Sequence, residues 1–83
     1  MPGSGVAISV VIPTLNEQTQ IERALDCTRL PGVERIVVDA NSSDGTSQTA
    51  RFLRAEKVLQ ALPGRAHQMD AGYREAAGAI VLF

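Results

Sequence analysis

The sequence has a single cysteine, Cys27, and no tryptophan. One thiol excludes an internal disulfide framework and a multi-cysteine metal site. Cys27 reads as a small hydrophobe on a helix, because no histidine or basic cluster stands beside it to activate the thiol. There is also only one histidine, His67, and without a second His or Cys ligand it reads as an ordinary helix residue. An excess of one charge is lacking too: eight Lys and Arg against nine Asp and Glu leave a net charge of -1. Sequence-independent binding to nucleic acid or an anionic membrane needs surplus cations, so any anion site must be local. No apolar run approaches the roughly 20 residues that span a bilayer. Met1 to Gly5 lacks the charged and apolar regions of a signal peptide. A cytoplasmic protein with a flexible leader over residues 1–6 is therefore expected.

What remains is ordinary globular material: 83 residues, 45% of them hydrophobic and 20% charged, close to the average for folded domains. A chain this short buries only about 60 to 65% of its unfolded surface, so it is one domain or a piece of one.

The pattern along the chain alternates strand and helix. Ala7 to Ile12 is a β-branched, nearly continuous apolar run stopped by Pro13, which fits a strand covered on both faces. Thr14 and Glu17 then have the spacing of a capping box, with Asn16 as an alternative N-cap. The helix they open runs to about Arg29, with Ile21, Leu25 and Thr28 inward, and Pro31-Gly32 ends it. Arg35 to Asp39 is a second strand, and a helix from about Gly45 to Arg54 turns Thr46, Ala50 and Leu53 to the sheet. Glu56 to Leu59 is a short third strand. After Leu62-Pro63-Gly64 a third helix spans Arg65 to about Ala77, with an inward stripe of Ala66, Met69, Tyr73 and Ala77 and with Gly78 as its C-cap. Ala79 to Phe83 is a last, fully apolar strand. Short connections of this kind give right-handed crossovers and a parallel, Rossmann-like α/β sheet. Because the chain stops on its most apolar strand, it is expected to be the N-terminal part of a longer protein.

The chemistry centres on Ile36 to Thr46, where a strand ends in a carboxylate, passes a small polar loop and meets a helix N-terminus. Open α/β sheets hold nucleotides at such strand ends. Neither a G-x-G-x-x-G nor a Gly-Lys-Ser/Thr loop is present, which weakens dinucleotide and P-loop readings. Two readings of Asp39 stay open: an acceptor for base or ribose groups, or an acid that ends a strand and caps the next helix. Asp44 reads as N-capping chemistry and Ser42 and Ser43 as turn residues. Arg65 stands at a helix start, where the macrodipole is positive, and a cation there suggests a nearby anion such as a diphosphate.

Three segments together carry a resemblance: Val10 to Glu17, Ile36 to Thr46, and Gly64-Arg65-Ala66-His67-Gln68-Met69-Asp70-Ala71-Gly72. In this order and spacing they resemble the start of family 2 glycosyltransferases of the GT-A fold. The Gly-Arg-Ala-x-Gln-Met segment looks like that of small bacterial transferases linked by name to arsenosugar biosynthesis. The resemblance implies a nucleotide-diphospho-sugar donor, with a UDP-sugar favoured, lying across the strand ends. Pro13, Thr14 and Leu15 would frame the base, Glu17 matches an acidic position at the first helix, Asp39 the carboxylate at the base or ribose, and Arg65 the basic position near the nucleotide. Leu15 departs from a common aromatic and Asp70 from a common Asn. In the family the last strand leads into an Asp-x-Asp type motif that holds a divalent cation, Mn or Mg, and an acceptor-side base follows. Neither is in this sequence, so residues 7–83 are expected to form a partial, donor-binding domain that does not catalyse alone. A non-catalytic Rossmann-like module that self-associates through an exposed sheet edge is the alternative.

Overall fold

The computed structural model describes residues 6–16, 18–78 and 80–82. The proposed leader up to residue 5, Glu17 with its half of the capping box, and residues 79 and 83 of the last strand lie outside them. Among the described residues four strands, β1 (Ile8–Thr14), β2 (Val33–Asp39), β3 (Lys57–Gln60) and β4 (Ile80–Leu82), alternate with three helices, α1 (Gln18–Cys27), α2 (Thr46–Phe52) and α3 (Arg65–Glu75). The strands pair in the order β3-β2-β1-β4, all in parallel. This is the expected Rossmann-like architecture.

Alternation along β1 and β2 divides the core into two layers. Val37 packs with Ile21 and Leu25 of α1 and Ala50 of α2, while Val11, Ile36 and Val38 pack on the other face with Ala71 and Ala76 around α3. Ile36, Val37 and Val38 have no measurable exposure, which is why β2 reads as an unbroken apolar run: both of its faces are covered.

Glu34 and Arg35 begin β2 with opposite charges on opposite faces, and both are buried. Glu34 accepts from the Ser9 hydroxyl at 2.8 Å and the Ala77 amide at 2.9 Å, and pairs with Lys57 at 3.1 Å. Arg35 donates from Nε and a terminal nitrogen to the two Glu56 oxygens, each at 2.8 Å. Its remaining donors reach the carbonyls of Leu25 and Arg54. Partners on both faces make these buried charges tolerable.

Several sequence expectations are corrected. Pro13 does not stop β1, which continues to Thr14 with Pro13 opposite Val38. The Thr14 carbonyl accepts from Ala40 of the β2 side, so Pro13 points its missing N–H to the other flank, where the register with β4 among the described residues runs from Ile8 to Val10. Helix α1 ends at Cys27 rather than near Arg29. Thr28 is only partly buried and folds its hydroxyl back on the Ala24 carbonyl at 2.8 Å. Cys27 is exposed.

The largest correction concerns α3. Its buried residues are Gln68 and Gly72, whereas Tyr73 is 62% exposed, Ala66 and Ala77 are exposed and Met69 is half-buried. Counting apolar residues chose the wrong face because close backbone approach selects this one: a Cβ on Gly72 would lie 2.4 Å from Val11 Cγ1. Gly78 does not cap the helix, which passes through an extended Ala76. It instead lies against β1, donating its N–H to Ser9 Oγ at 2.9 Å, with a Cβ there only 2.7 Å from the Ser9 nitrogen.

Candidate functional site

The carboxyl ends of β1 and β2 lie side by side, with Thr14 opposite Asp39 in the register. The loops that leave them are joined by side chains. Asp39 is 1% exposed. Its Oδ1 accepts from the Thr14 hydroxyl at 2.7 Å and from the Ser42 hydroxyl, and its Oδ2 accepts from the Ser42 amide at 2.8 Å. Burial alone pushes this carboxyl up, but the bonds from Ser42, Thr14 and Ser47 outweigh it and hold Asp39 below the usual aspartate value. Asp39 is therefore ionised, with both oxygens engaged by its own fold.

Asn16 completes the join. Its backbone N–H donates to Ser42 Oγ at 2.7 Å, and its side-chain Oδ1 accepts from the Ser43 backbone N–H at 2.9 Å. Asn16 and Asn41 both take left-handed backbone angles, φ 54° and 59°, which asparagine tolerates better than most residues. Thr14 and Asn16 thus both serve the β2–α2 loop, the threonine hydroxyl donating to Asp39 and the asparagine side chain accepting from Ser43; the expected capping box involves Glu17 and lies outside the described residues. Asp44 accepts from the Thr46 amide at 3.1 Å and from its hydroxyl, but it stands one residue before the N-cap of α2, which is Gly45 in a left-handed conformation.

The first turn of α3 approaches the same strand ends. Gln68 donates from Nε2 to the Thr14 carbonyl at 2.9 Å and to the Val38 carbonyl at 3.0 Å. Arg65 opens the helix in an exposed position, and none of the described carboxylates forms an ion pair with it. Asp70 is held by Arg74 at 3.0 Å, and His67 is exposed.

Of the residues singled out in the sequence, Thr14 and Asp39 meet directly, Pro13 and Leu15 flank Thr14 in the chain, Leu15 at 50% exposure, and Arg65 lies on the helix that Gln68 ties to Thr14. Glu17 is outside the described residues. A separate groove of about 340 Å³ runs between β3 and α3, lined by Leu59, Gln60, Asp70, Ala71, Arg74 and Glu75; it contains none of the residues singled out for the nucleotide. The sequence reading missed Gln68. A glutamine three residues after Arg65 and four before a glycine, on one helix face, is the signal that marks it.

Among the described residues no group of three or more His, Cys, Asp or Glu is placed to hold a metal ion, and no helix is long and apolar enough to cross a membrane.

The model of glycosyl transferase family 2 matches residues 9–83. An uncharacterized glycosyltransferase of Mycobacterium tuberculosis is 35% identical over 79 residues, 94% of this chain and 35% of the relative. Glucosyl-3-phosphoglycerate synthase of the same organism is 36% identical over 92 residues, covering 96% of this chain and 28% of the relative. The chain thus spans about a third of the length of the curated relatives it matches. In three dimensions it is similar to that synthase in complex with Mn2+, UDP and glucosyl-3-phosphoglycerate, with a TM-score of 0.78, 31% identity, and coverage of 93% of this chain and 32% of the synthase. It is also similar to a mannosyltransferase from Pyrobaculum calidifontis in complex with GDP-Man and Mn2+, with a TM-score of 0.74, 29% identity, and coverage of 98% and 29%.

Proposed function

We propose, from the premise that this chain belongs to glycosyl transferase family 2, that it forms the donor-nucleotide half of an enzyme moving a sugar from a nucleotide-diphospho-sugar to an acceptor hydroxyl. The observation that carries this reading is the junction of β1, β2 and α3, where the Thr14–Asp39 bond and the two Gln68 bonds hold three polypeptide segments at the strand ends. Nucleotides bind at such ends in open α/β sheets, and a site already fixed by the fold loses less entropy on binding.

Pro13, Thr14 and Leu15 frame the base in this reading. Asp39 supports the wall behind them: a carboxylate with 1% exposure acts by fixing the loops that touch the nucleotide. Arg65 supplies the positive charge for the diphosphate, with the N-terminal dipole of α3 in addition. Glu17 is assigned to the donor by the resemblance alone. A UDP-sugar is the favoured donor, since the similar synthase structure holds UDP; the GDP-Man of the mannosyltransferase makes GDP the control.

A divalent cation, Mn2+ or Mg2+, belongs to the same proposal. It would neutralise the leaving diphosphate, and none of the described residues is assigned to it. A cytoplasmic location and a partial domain over residues 7–83 are further parts of the reading. Self-association is a separate proposal, supported by the place of β4 at one end of the described sheet order; a mass in solution that stays monomeric as concentration rises rejects it.

Calorimetric titration of UDP, GDP and UMP into the protein carrying this chain, with and without Mn2+, tests the donor assignment. Saturable UDP binding that is tighter than GDP binding is expected. Absence of binding by every nucleotide removes the assignment.

A further inference from the structure

We infer that Gln68 is a positioning residue whose amide fixes the first turn of α3, and Arg65 with it, against the ends of β1 and β2. This rests on the donor-site reading, because it says how the cation of that site is held in place. Gln68 is 7% exposed. Burying a long polar side chain costs desolvation that an apolar residue of the same length would not. What the amide adds is direction. Its Nε2 donates to Thr14 of β1 at 2.9 Å and to Val38 of β2 at 3.0 Å, so one group ties the helix to both strands at once.

Gly72 lies four residues further on the same helix face. There the missing side chain lets α3 close on β1, since a Cβ would stand 2.4 Å from Val11 Cγ1. Gly72 thus sets the distance of the helix from the sheet, and Gln68 sets its lateral place at the strand ends. Arg65 begins the same helix three residues before Gln68, and its backbone position follows from that anchor. Thr14, which receives one of the two bonds, also holds Asp39. The base-framing loop and the cation are therefore tied to one point.

A purely structural glutamine would affect folding yet weaken UDP binding by the same factor whether or not Arg65 is present. An anchor that acts through Arg65 loses its effect once the arginine is gone. UDP affinity is measured for the wild-type protein carrying this chain, for Gln68→Met, for Arg65→Ala and for the double variant, with circular dichroism as the check on folding. Gln68→Met keeps the length and removes both donors. Each single change is expected to weaken UDP about tenfold, with the double variant no weaker than Arg65→Ala alone, as for residues that act as one unit.

Losses that multiply overturn the inference and leave the donor site standing. No UDP binding by the wild-type protein overturns the donor reading and this inference together. Gln68→Glu supplies a second readout if the Met variant does not fold. A carboxylate facing two carbonyls is repelled, whereas its protonated form can donate one bond and has its pKa raised by burial. UDP affinity of Gln68→Glu is therefore expected to rise, relative to wild type, as pH falls from 8 to about 5.5; a profile parallel to wild type overturns the inference.

Discussion

Thr14 and Asp39 face each other as the last register partners of β1 and β2, and the threonine hydroxyl donates to Asp39 Oδ1 at 2.7 Å. Ser42 binds both oxygens of the same carboxylate, and Asn16 in turn binds Ser42 and Ser43. Two loops that start 25 residues apart in sequence therefore form one polar surface. Charge-assisted bonds to an ionised acceptor are stronger than neutral ones, so the carboxylate is the natural centre of this surface. It explains how a strand-ending acid can matter to the proposed nucleotide site while being shielded from solvent.

Asp39→Asn tests that role. The variant keeps the shape but replaces one acceptor by an NH2 group, which must then face a donor from Ser42 or Thr14. Leaving a buried donor without an acceptor costs about 1 to 3 kcal/mol, seen as a lower urea midpoint at unchanged slope. UDP affinity should fall with it. Combining Asp39→Asn with Ser42→Ala should cost less than the sum of the two, because both break one network. Unchanged stability and affinity in Asp39→Asn would show that the carboxylate organises nothing.

Much of this arrangement was legible in the sequence, and the rest failed for physical reasons. The β-branched runs and the Pro-Gly breaks disclosed the order of strands and helices, since periodicity and turn chemistry are local. The end of β1 differs from the expectation because Pro13 lacks an N–H only on the flank away from β2, so its pairing with β2 opposite Val38 continues to Thr14, and one strand's sequence does not show which flank a proline faces. The inward face of α3 was misjudged because Ala66, Met69 and Tyr73 form a good apolar stripe, while the true face is chosen by Gly72 meeting Val11 and by Gln68 meeting two carbonyls. Asp39 could be named as the focus of the site, but its commitment to Thr14 depends on strand register, which the sequence does not print.

Acid should loosen this fold in a defined direction. Hydrogen bonds from Arg35 hold Glu56 below the usual range. Burial raises Glu34 and Asp39, yet the bonds from Ala77, Ser9 and Lys57 to the first, and from Ser42, Thr14 and Ser47 to the second, leave both lowered. A carboxylate with a depressed folded value contributes stability that is present above the unfolded value and lost as pH falls through the folded one. Urea unfolding is expected to be independent of these groups above about pH 5 and to weaken steadily below about pH 4. In Asp39→Asn the acid limb should be shallower than in wild type; equal slopes would contradict the linkage.

Arg35→Lys is expected to be costly although it keeps the charge. The guanidinium is 4% exposed on its side chain and meets Glu56 at 2.8 Å, while other nitrogens satisfy the carbonyls of Leu25 and Arg54. A lysine ammonium cannot match that planar fork. Glu56 is 41% exposed, so solvent compensates part of the loss on its side, and a destabilisation of about 2 to 4 kcal/mol is expected. Glu56→Gln, which leaves the arginine its carbonyl partners and one side-chain oxygen but removes its half-exposed counter-charge, should cost less, about 1 to 2 kcal/mol. Denaturant midpoints of the two variants check the order; a larger effect for Glu56→Gln would reverse the assignment of Arg35 as the centre of this cluster.

The contact between Gly72 and Val11 yields a prediction whose sign can be switched. Alanine is the better helix former by about 1 kcal/mol, so Gly72→Ala on an exposed helix would stabilise. Here the new Cβ would lie 2.4 Å from one Val11 methyl and 2.9 Å from the other. Valine is stiff about χ1, and Val11 is 1% exposed, so the methyls have little room to move. Overpacking of this kind costs about 1 to 3 kcal/mol, and the net effect of Gly72→Ala should be a lower melting temperature. Val11→Ala removes both methyls. In that background the new Cβ meets only the Val11 Cβ, at 3.2 Å, a tight contact that a small shift of α3 into the space of the lost methyls relieves, so the helix preference prevails and the second substitution should raise stability above that of Val11→Ala alone. A Gly72→Ala change that destabilises equally in both backgrounds would mean that something other than Val11 holds α3 away from the sheet.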